Sequence, residues 1–347
     1  MDLSDIDYVL PEMAIAQHPI EPRDAARLLV DQGSRPPLDK YVSDLSSLLQ
    51  PGDYLVVNNT KVMPARLNLF RQSGGAVEVL MLEPIDEDEL RWEALVRPGG
   101  RLKVGEPLCD AEGLVLARFG GRHNDGTSDS FVVCFADQVA EAGSGVTARA
   151  VMRDHGVMPL PPYIHEQLDD QRRYQTVFAD VERSAAAPTA GLHLTPALLD
   201  QVRSMGIEVG EVELVVGLGT FKPITTQDPL QHEINGEYYN VPQDVMAKCQ
   251  LAKRVVAVGT TAVRALESAA SSGRLSGRTT LFIHRGYQWK VVDVLMTNFH
   301  MPHTSLLLMI DSFVGQRWRK LYQEALWRGY RFLSFGDAML LDRHLEE

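Results

Sequence analysis

The residues best suited to chemistry stand in loops at the ends of apolar runs. Ala185-Ala186-Ala187-Pro188-Thr189-Ala190-Gly191-Leu192-His193 is built from small residues whose backbone can approach another surface closely. It delivers His193 just before a helix start at Thr195-Pro196. Val258-Gly259-Thr260-Thr261 reads as a strand-to-helix turn whose N–H groups and hydroxyls suit an anionic group. That turn lacks both GxGxxG and GxxxxGK[ST], so neither a dinucleotide nor a P-loop reading has support. Gly217-Leu218-Gly219-Thr220-Phe221 lets backbone meet a flat ligand, on which Phe221 can stack. Thr297-Asn298-Phe299-His300-Met301-Pro302-His303 places an amide and two imidazoles at a strand end. His300 and His303 lack the i, i+4 spacing of a zinc pair and read as acid/base or hydrogen-bonding groups. His232 and Glu237 put an imidazole near a carboxylate in a loop.

The elements that must hold these loops follow from punctuation and period. Thr195 as N-cap, Pro196 at the first position and Gly206 beyond the end define a helix over 196–205. A strand over 207–216 leads into Gly217, and Arg254–Val258 leads into Gly259 and a helix over 262–272. Further strands are expected at 280–283, 289–296 and 330–335, with helices from Ser305 to Val314 and Gln316 to Arg328. Buried strands alternating with helices imply an α/β sheet flanked by helices, and such sheets bind ligands at strand ends. The stretch after Arg66 differs. Short strand-like runs at 76–82, 91–96, 114–119 and 130–135, broken by Gly-rich turns, suggest a small β barrel or sandwich. The simplest architecture is an α/β domain from 1–66 plus 156–347, interrupted by an inserted β-barrel-like domain over 67–155.

Composition narrows the class. An apolar fraction of 45% with 23% charged residues is ordinary for a globular chain. The apolar runs are too short to span a bilayer, and the acidic start lacks an apolar signal region, so a cytoplasmic protein without a membrane partner is expected. Cys109, Cys134 and Cys249 are scattered, which argues against a disulfide framework or a zinc site, and no metal is expected. A net charge of −12 repels phosphate backbones on average, so an RNA partner requires a local basic patch. Pro159-Leu160-Pro161-Pro162-Tyr163-Ile164 is rigid and extended. It precedes Arg172-Arg173-Tyr174-Gln175-Thr176-Val177-Phe178, whose cations, aromatics and amides suit nucleotide or RNA contact. The residues alone point to an α/β enzyme with a nucleoside-like ligand at its sheet ends.

The order of motifs carries more. Asp7-Tyr8-Val9-Leu10-Pro11, Ile15-Ala16-Gln17-His18-Pro19, Arg23-Asp24-Ala25-Ala26-Arg27, Pro64-Ala65-Arg66-Leu67 and Tyr174-Gln175-Thr176-Val177 join the loops above and Gly336-Asp337-Ala338-Met339. Together they resemble the S-adenosylmethionine:tRNA ribosyltransferase-isomerase family of queuosine biosynthesis across the chain, least so in the β-rich insertion. The resemblance implies transfer of the ribosyl part of S-adenosylmethionine to a 7-aminomethyl-7-deazaguanine at the tRNA wobble position. Rearrangement then gives epoxyqueuosine, with adenine and methionine released. S-adenosylmethionine is consumed as a substrate, no cofactor is implied and no protein partner is inferred. The sulfonium acidifies the adjacent ribose C5′ hydrogens, so a positioned base can remove one.

On that footing His193 is the leading acid/base candidate, with Thr189 and Gly191 shaping its loop. Gly217, Gly219, Thr220 and Phe221 would line the adenosine, Thr260 and Thr261 would meet the methionine carboxylate, and Tyr163 and Gln175 would touch substrate. Asn298 and His300 follow, for ribose contact or proton transfer, then His232 and Glu237. Arg97, Arg101, Lys103, Arg172 and Arg173 are the expected tRNA contacts, in the anticodon region. Val215 and Asn235 stand where the family usually carries His, and Arg183 where Gly is common, which leaves His193 more proton chemistry to explain. The alternatives are a related transferase acting on a free small nucleoside or amine, and a non-catalytic RNA-binding protein.

Overall fold

The computed structural model describes residues 1–123, 130–135, 147–217, 223–234 and 236–345. In chain order the strands are β1 (Arg27–Val30), β2 (Leu38–Tyr41), β3 (Asp53–Asn58), β4 (Thr60–Val62), β5 (Arg66–Arg71), β6 (Ala76–Pro84), β7 (Arg91–Arg97), β8 (Pro107–Cys109) and β9 (Val115–Arg122). They continue with β10 (Phe131–Cys134), β11 (Gly156–Val157), β12 (Val181–Ser184), β13 (Glu208–Leu214), β14 (Glu237–Asn240), β15 (Arg254–Val258), β16 (Ser276–Thr279), β17 (Val294–Asn298) and β18 (Ala338–Asp342). The helices are α1 (Leu45–Leu48), α2 (Ala148–His155), α3 (Pro196–Ser204), α4 (Gln243–Leu251), α5 (Thr260–Ser272), α6 (Ser305–Val314) and α7 (Arg317–Trp327). Two compact units result: Met1–Lys61 with Pro161–Val181 and Ala187–Glu347, and Val62–Leu160 with Glu182–Ala186.

The first unit is a mixed sheet flanked by helices, in the order β16-β14-β13-β3-β15-β17-β18-β1-β2. Its centre, β13, β3, β15 and β17, runs parallel. β3 is buried along its whole length, as a parallel strand covered on both faces must be. Leu55, Val57, Val256, Val258, Val294 and Met296 pack there against Leu198, Leu199 and Val202 of α3. The one acid at the start of β3, Asp53, is neutralised by a fork from Arg254, with Nε to Oδ1 at 2.9 Å and Nη2 to Oδ2 at 2.7 Å. The entry to β17 is fixed by the buried Glu267 of α5, whose carboxylate accepts the N–H groups of Lys290, Val291 and Val292 and the Tyr287 hydroxyl. Parallel strands put their carboxyl ends on one edge, so Leu214, Val258 and Asn298 open onto the same side.

In the second unit β5, β6, β7, β10, β9 and β8 pair antiparallel in that order, and Phe70↔Cys109 and Arg71↔Leu108 pairs close the ring on β5. β7 alternates buried and outward residues, the period of a barrel wall, and turns Trp92 fully inward. Outside it, Arg149 of α2 forks onto Glu89 at 2.6 and 2.8 Å.

Four sequence expectations change. The strand read at 280–283 lies at Ser276–Thr279. Residues 330–335 are not a strand; a single bridge joins Ile15 to Phe332, and the last strand is Ala338–Asp342. Leu333 takes φ 68° there, a left-handed turn that extended pairing does not allow, and the aromatic run fills the core instead. The 289–296 run becomes a strand only from Val294, because residues 290–292 spend their N–H groups on Glu267. Glu237, read as part of a loop, opens β14.

Candidate active site

At the carboxyl ends of β15 and β17 the α/β unit holds a cavity of roughly 640 Å³ counting its open mouth. Three loops and a helix start build its wall: Ala187–Ala190, Gly259–Thr261, Thr297–Met301 and Thr304 with Leu306, with Tyr163, Val216, Leu333 and Ser334 completing it. A cavity at this edge is where an open α/β sheet binds ligands.

The Gly259 turn is an anion site in waiting. Gly259 sits at φ 89°, a conformation glycine adopts without strain, and its N–H donates to Met296 O at 2.8 Å. α5 begins at once behind it with no side-chain cap among the described residues, so the positive end of its first turn lies at the cavity wall. Thr260 and Thr261 are buried and line it, and Thr261 Oγ1 has no hydrogen-bond partner among the described residues.

Opposite stands Asn298, the last residue of β17, buried yet lining the cavity. Its amide is held on three sides. Thr189 Oγ1 donates to Oδ1 at 2.9 Å, while Nδ2 donates to His193 Nε2 at 3.1 Å and to Asp337 O at 3.4 Å. The floor behind it is aromatic: Phe299 stacks on Phe332 at 4.6 Å, and His300 N–H donates to the Tyr322 hydroxyl at 3.0 Å. His300 lines the cavity with its Nε2 3.1 Å from Thr297 Oγ1. Burial pushes its imidazole down to about 3, so the ring is neutral at working pH. Tyr163 also lines the cavity, its hydroxyl 2.7 Å from Ser334 Oγ, and burial raises it to about 12.

His193 is placed differently from the sequence expectation. It ends the short 3-10 turn Thr189–His193, is buried, and does not line the cavity; Thr189 and Asn298 stand in front of it. Burial first, then the charges of Arg331, Arg173 and Arg23, push it down to about 3. The turn is pinned by Arg23, whose Nη1 donates to Gln175 O at 2.9 Å and Leu192 O at 3.1 Å. Gly191 is a packing requirement: a Cβ there would lie 2.7 Å from the Phe178 ring. Thr195 caps α3 as expected, accepting from Leu198 N–H at 3.2 Å.

Several other expected residues do other work. Gln175 contributes a carbonyl to Arg23 and does not line the cavity. Glu237 is buried, ion-paired with Arg264 and accepting Gly217 N–H at 3.2 Å, so it anchors the exit of β13. His232 is half-buried, edge-on to Phe282. Gly219, Thr220, Phe221 and Asn235 lie outside the described residues. Arg97, Arg101 and Lys103 are exposed in the barrel unit and Arg172 is exposed in the α/β unit, paired with Asp170. Arg173 is not a free cation: it donates to Ile20 O at 2.7 Å and pairs with Glu21. Sequence reading missed Ser334 as part of the wall and Asp337 as a support behind Asn298; Gly336-Asp337 in the terminal motif was the available signal for the second.

Comparison with known proteins bears on this geometry. A family model described as queuosine biosynthesis protein matches residues 3–341. A relative from Symbiobacterium thermophilum, named S-adenosylmethionine:tRNA ribosyltransferase-isomerase, is 45% identical over 98% of this chain and 100% of its own. One of the same name from Desulfitobacterium hafniense is 44% identical with the same coverage. The crystal structure of an S-adenosylmethionine tRNA ribosyltransferase from Thermotoga maritima is 33% identical, covers 97% of this chain and 99% of its own, and superposes with a TM-score of 0.53.

Proposed function

This chain belongs to the queuosine biosynthesis protein family, and from that premise we propose how its α/β unit performs the reaction. It is an S-adenosylmethionine:tRNA ribosyltransferase-isomerase. It moves the ribosyl group of S-adenosylmethionine onto 7-aminomethyl-7-deazaguanine in tRNA, giving epoxyqueuosine, adenine and methionine. The relatives' names favour this acceptor over a free nucleoside or amine. The anticodon is the part of the tRNA engaged, at its wobble base, and a cytoplasmic location goes with that substrate.

The uncapped start of α5 carries the reading of the cavity. An anionic carboxylate placed there meets the first-turn N–H groups and the Thr261 hydroxyl, which has no partner among the described residues. This supports placing the methionine end of S-adenosylmethionine against Thr260 and Thr261. The ribosyl part then lies toward Asn298 and Thr189, whose polar atoms suit ribose hydroxyls. The small side chains Ala187 and Ala190 leave room for the acceptor base. The reactive bonds are the substrate's own, at its sulfonium carbon and its bond to adenine, and the wall binds and orients them.

The test is adenine release from S-adenosylmethionine with tRNA bearing the aminomethyl base, with tRNA bearing unmodified guanine, and with the free base. Release only in the first mixture is the expected result. Release with the free base supports the small-acceptor reading, and none in any mixture rejects the assignment.

A further inference from the structure

We infer that His193 is a positioning residue: as a neutral acceptor it holds the Asn298 amide one way round, so that Oδ1 serves the ligand, and it exchanges no proton with substrate. The inference rests on the cavity being the S-adenosylmethionine site.

The hydrogen bonds around Asn298 leave one consistent assignment. Asp337 O is a carbonyl and can only accept, so the atom 3.4 Å from it must be the amide nitrogen. Thr189 Oγ1 then donates to Oδ1. The second proton of Nδ2 goes to His193 Nε2, which must be bare; the ring carries its proton on Nδ1. Protonating Nε2 would set an N–H against the amide N–H and either break the contact or turn the amide over, driving Oδ1 against the Asp337 carbonyl. His193 and Asp337 lie outside the cavity lining, whereas Thr189 lines it, so the amide turns its oxygen edge to the ligand. Oδ1 has a second lone pair left for a ligand donor, such as a ribose hydroxyl. With its Nε2 lone pair engaged by the Asn298 amide, this imidazole is occupied as an acceptor and not available as a base. Burial and the Arg331, Arg173 and Arg23 charges keep it neutral, which suits an acceptor and disables an acid.

The experiment uses the full chain with S-adenosylmethionine and the aminomethyl-bearing tRNA, comparing wild type with His193→Gln, His193→Leu and Thr189→Val. Gln keeps a neutral acceptor and Leu keeps only bulk. Loss of the tether, by His193→Leu or Thr189→Val, is expected to raise KM for S-adenosylmethionine about tenfold. His193→Gln is expected to restore most of it, and all variants keep the wild-type pH profile. His193→Gln as inactive as His193→Leu, or a limb of the pH profile lost in His193→Gln, would overturn the inference. If His193→Leu fails to fold, His193→Gln against Thr189→Val decides. Nitrogen NMR of the His193 ring gives an answer independent of turnover. A neutral ring protonated on Nδ1 from about pH 8 to about pH 5 is expected, and an Nε2–H tautomer would sink the idea. Absent wild-type turnover would count against the function reading, with the ring tautomer still judging His193.

Discussion

Mild acid should destabilise this protein through two buried imidazoles, one lining the cavity and one behind it. His193 and His300 are both held near 3 in the folded chain, against an ordinary value of 6.5. Between those values the unfolded chain binds more protons than the folded one. Stability therefore rises with pH across that window and is lost as pH falls below about 6.5. At about pH 5 each unfolded ring is protonated with a gain of roughly 1.5 pH units, or about 2 kcal/mol, so the pair costs about 4 kcal/mol relative to about pH 8. That is a large share of the roughly 5–15 kcal/mol that holds a typical domain together. Urea unfolding at the two pH values, followed by tryptophan fluorescence, reads the loss as a fall in midpoint. His193→Gln should remove about half of the pH-dependent part, about 2 kcal/mol, because Gln does not titrate. An unchanged wild-type midpoint at the lower pH would refute the burial of neutral imidazoles. So would a variant whose pH dependence equals that of wild type.

Two further outcomes follow from particular contacts. Thr261→Val keeps the shape of the first turn of α5 but removes the hydroxyl proposed to meet the carboxylate. KM for S-adenosylmethionine should rise about tenfold with melting temperature unchanged, and an unaltered KM would clear Thr261 of that role. Glu237→Ala strands the buried Arg264, which pairs with it, and should cost about 3 kcal/mol in urea unfolding. A stable Glu237→Ala protein without turnover would instead make the carboxylate chemical.

Where local chemistry dictates structure, the sequence was readable. Thr195, Pro196 and Gly206 bracket α3 with its cap made as expected, and Gly259 marks the β15–α5 turn by a backbone angle suited to glycine. The barrel strands announced themselves as short strand-like runs separated by glycine-rich turns. Elements defined by distant partners were harder. β18 pairs with β17 and β1, far away in the chain, and Tyr330–Phe335, more strand-like in composition, is bent by the left-handed Leu333. Glu237 looked like a solvated loop acid because nothing local reveals Arg264 behind it. The loops that form the cavity could be picked out, but depth within the wall could not. His193 ends a buried turn and Asn298 a buried strand, and only tertiary placement shows that Asn298 lines the cavity while His193 stands behind it.

The most direct test is a crystal structure of the protein with S-adenosylmethionine bound. The methionine carboxylate is expected within hydrogen-bond distance of Thr261 Oγ1 and the first-turn N–H groups of α5, with a ribose hydroxyl donating to Asn298 Oδ1. A ligand seated elsewhere, or with its carboxylate turned away from α5 and its ribosyl group clear of Asn298, would contradict this site.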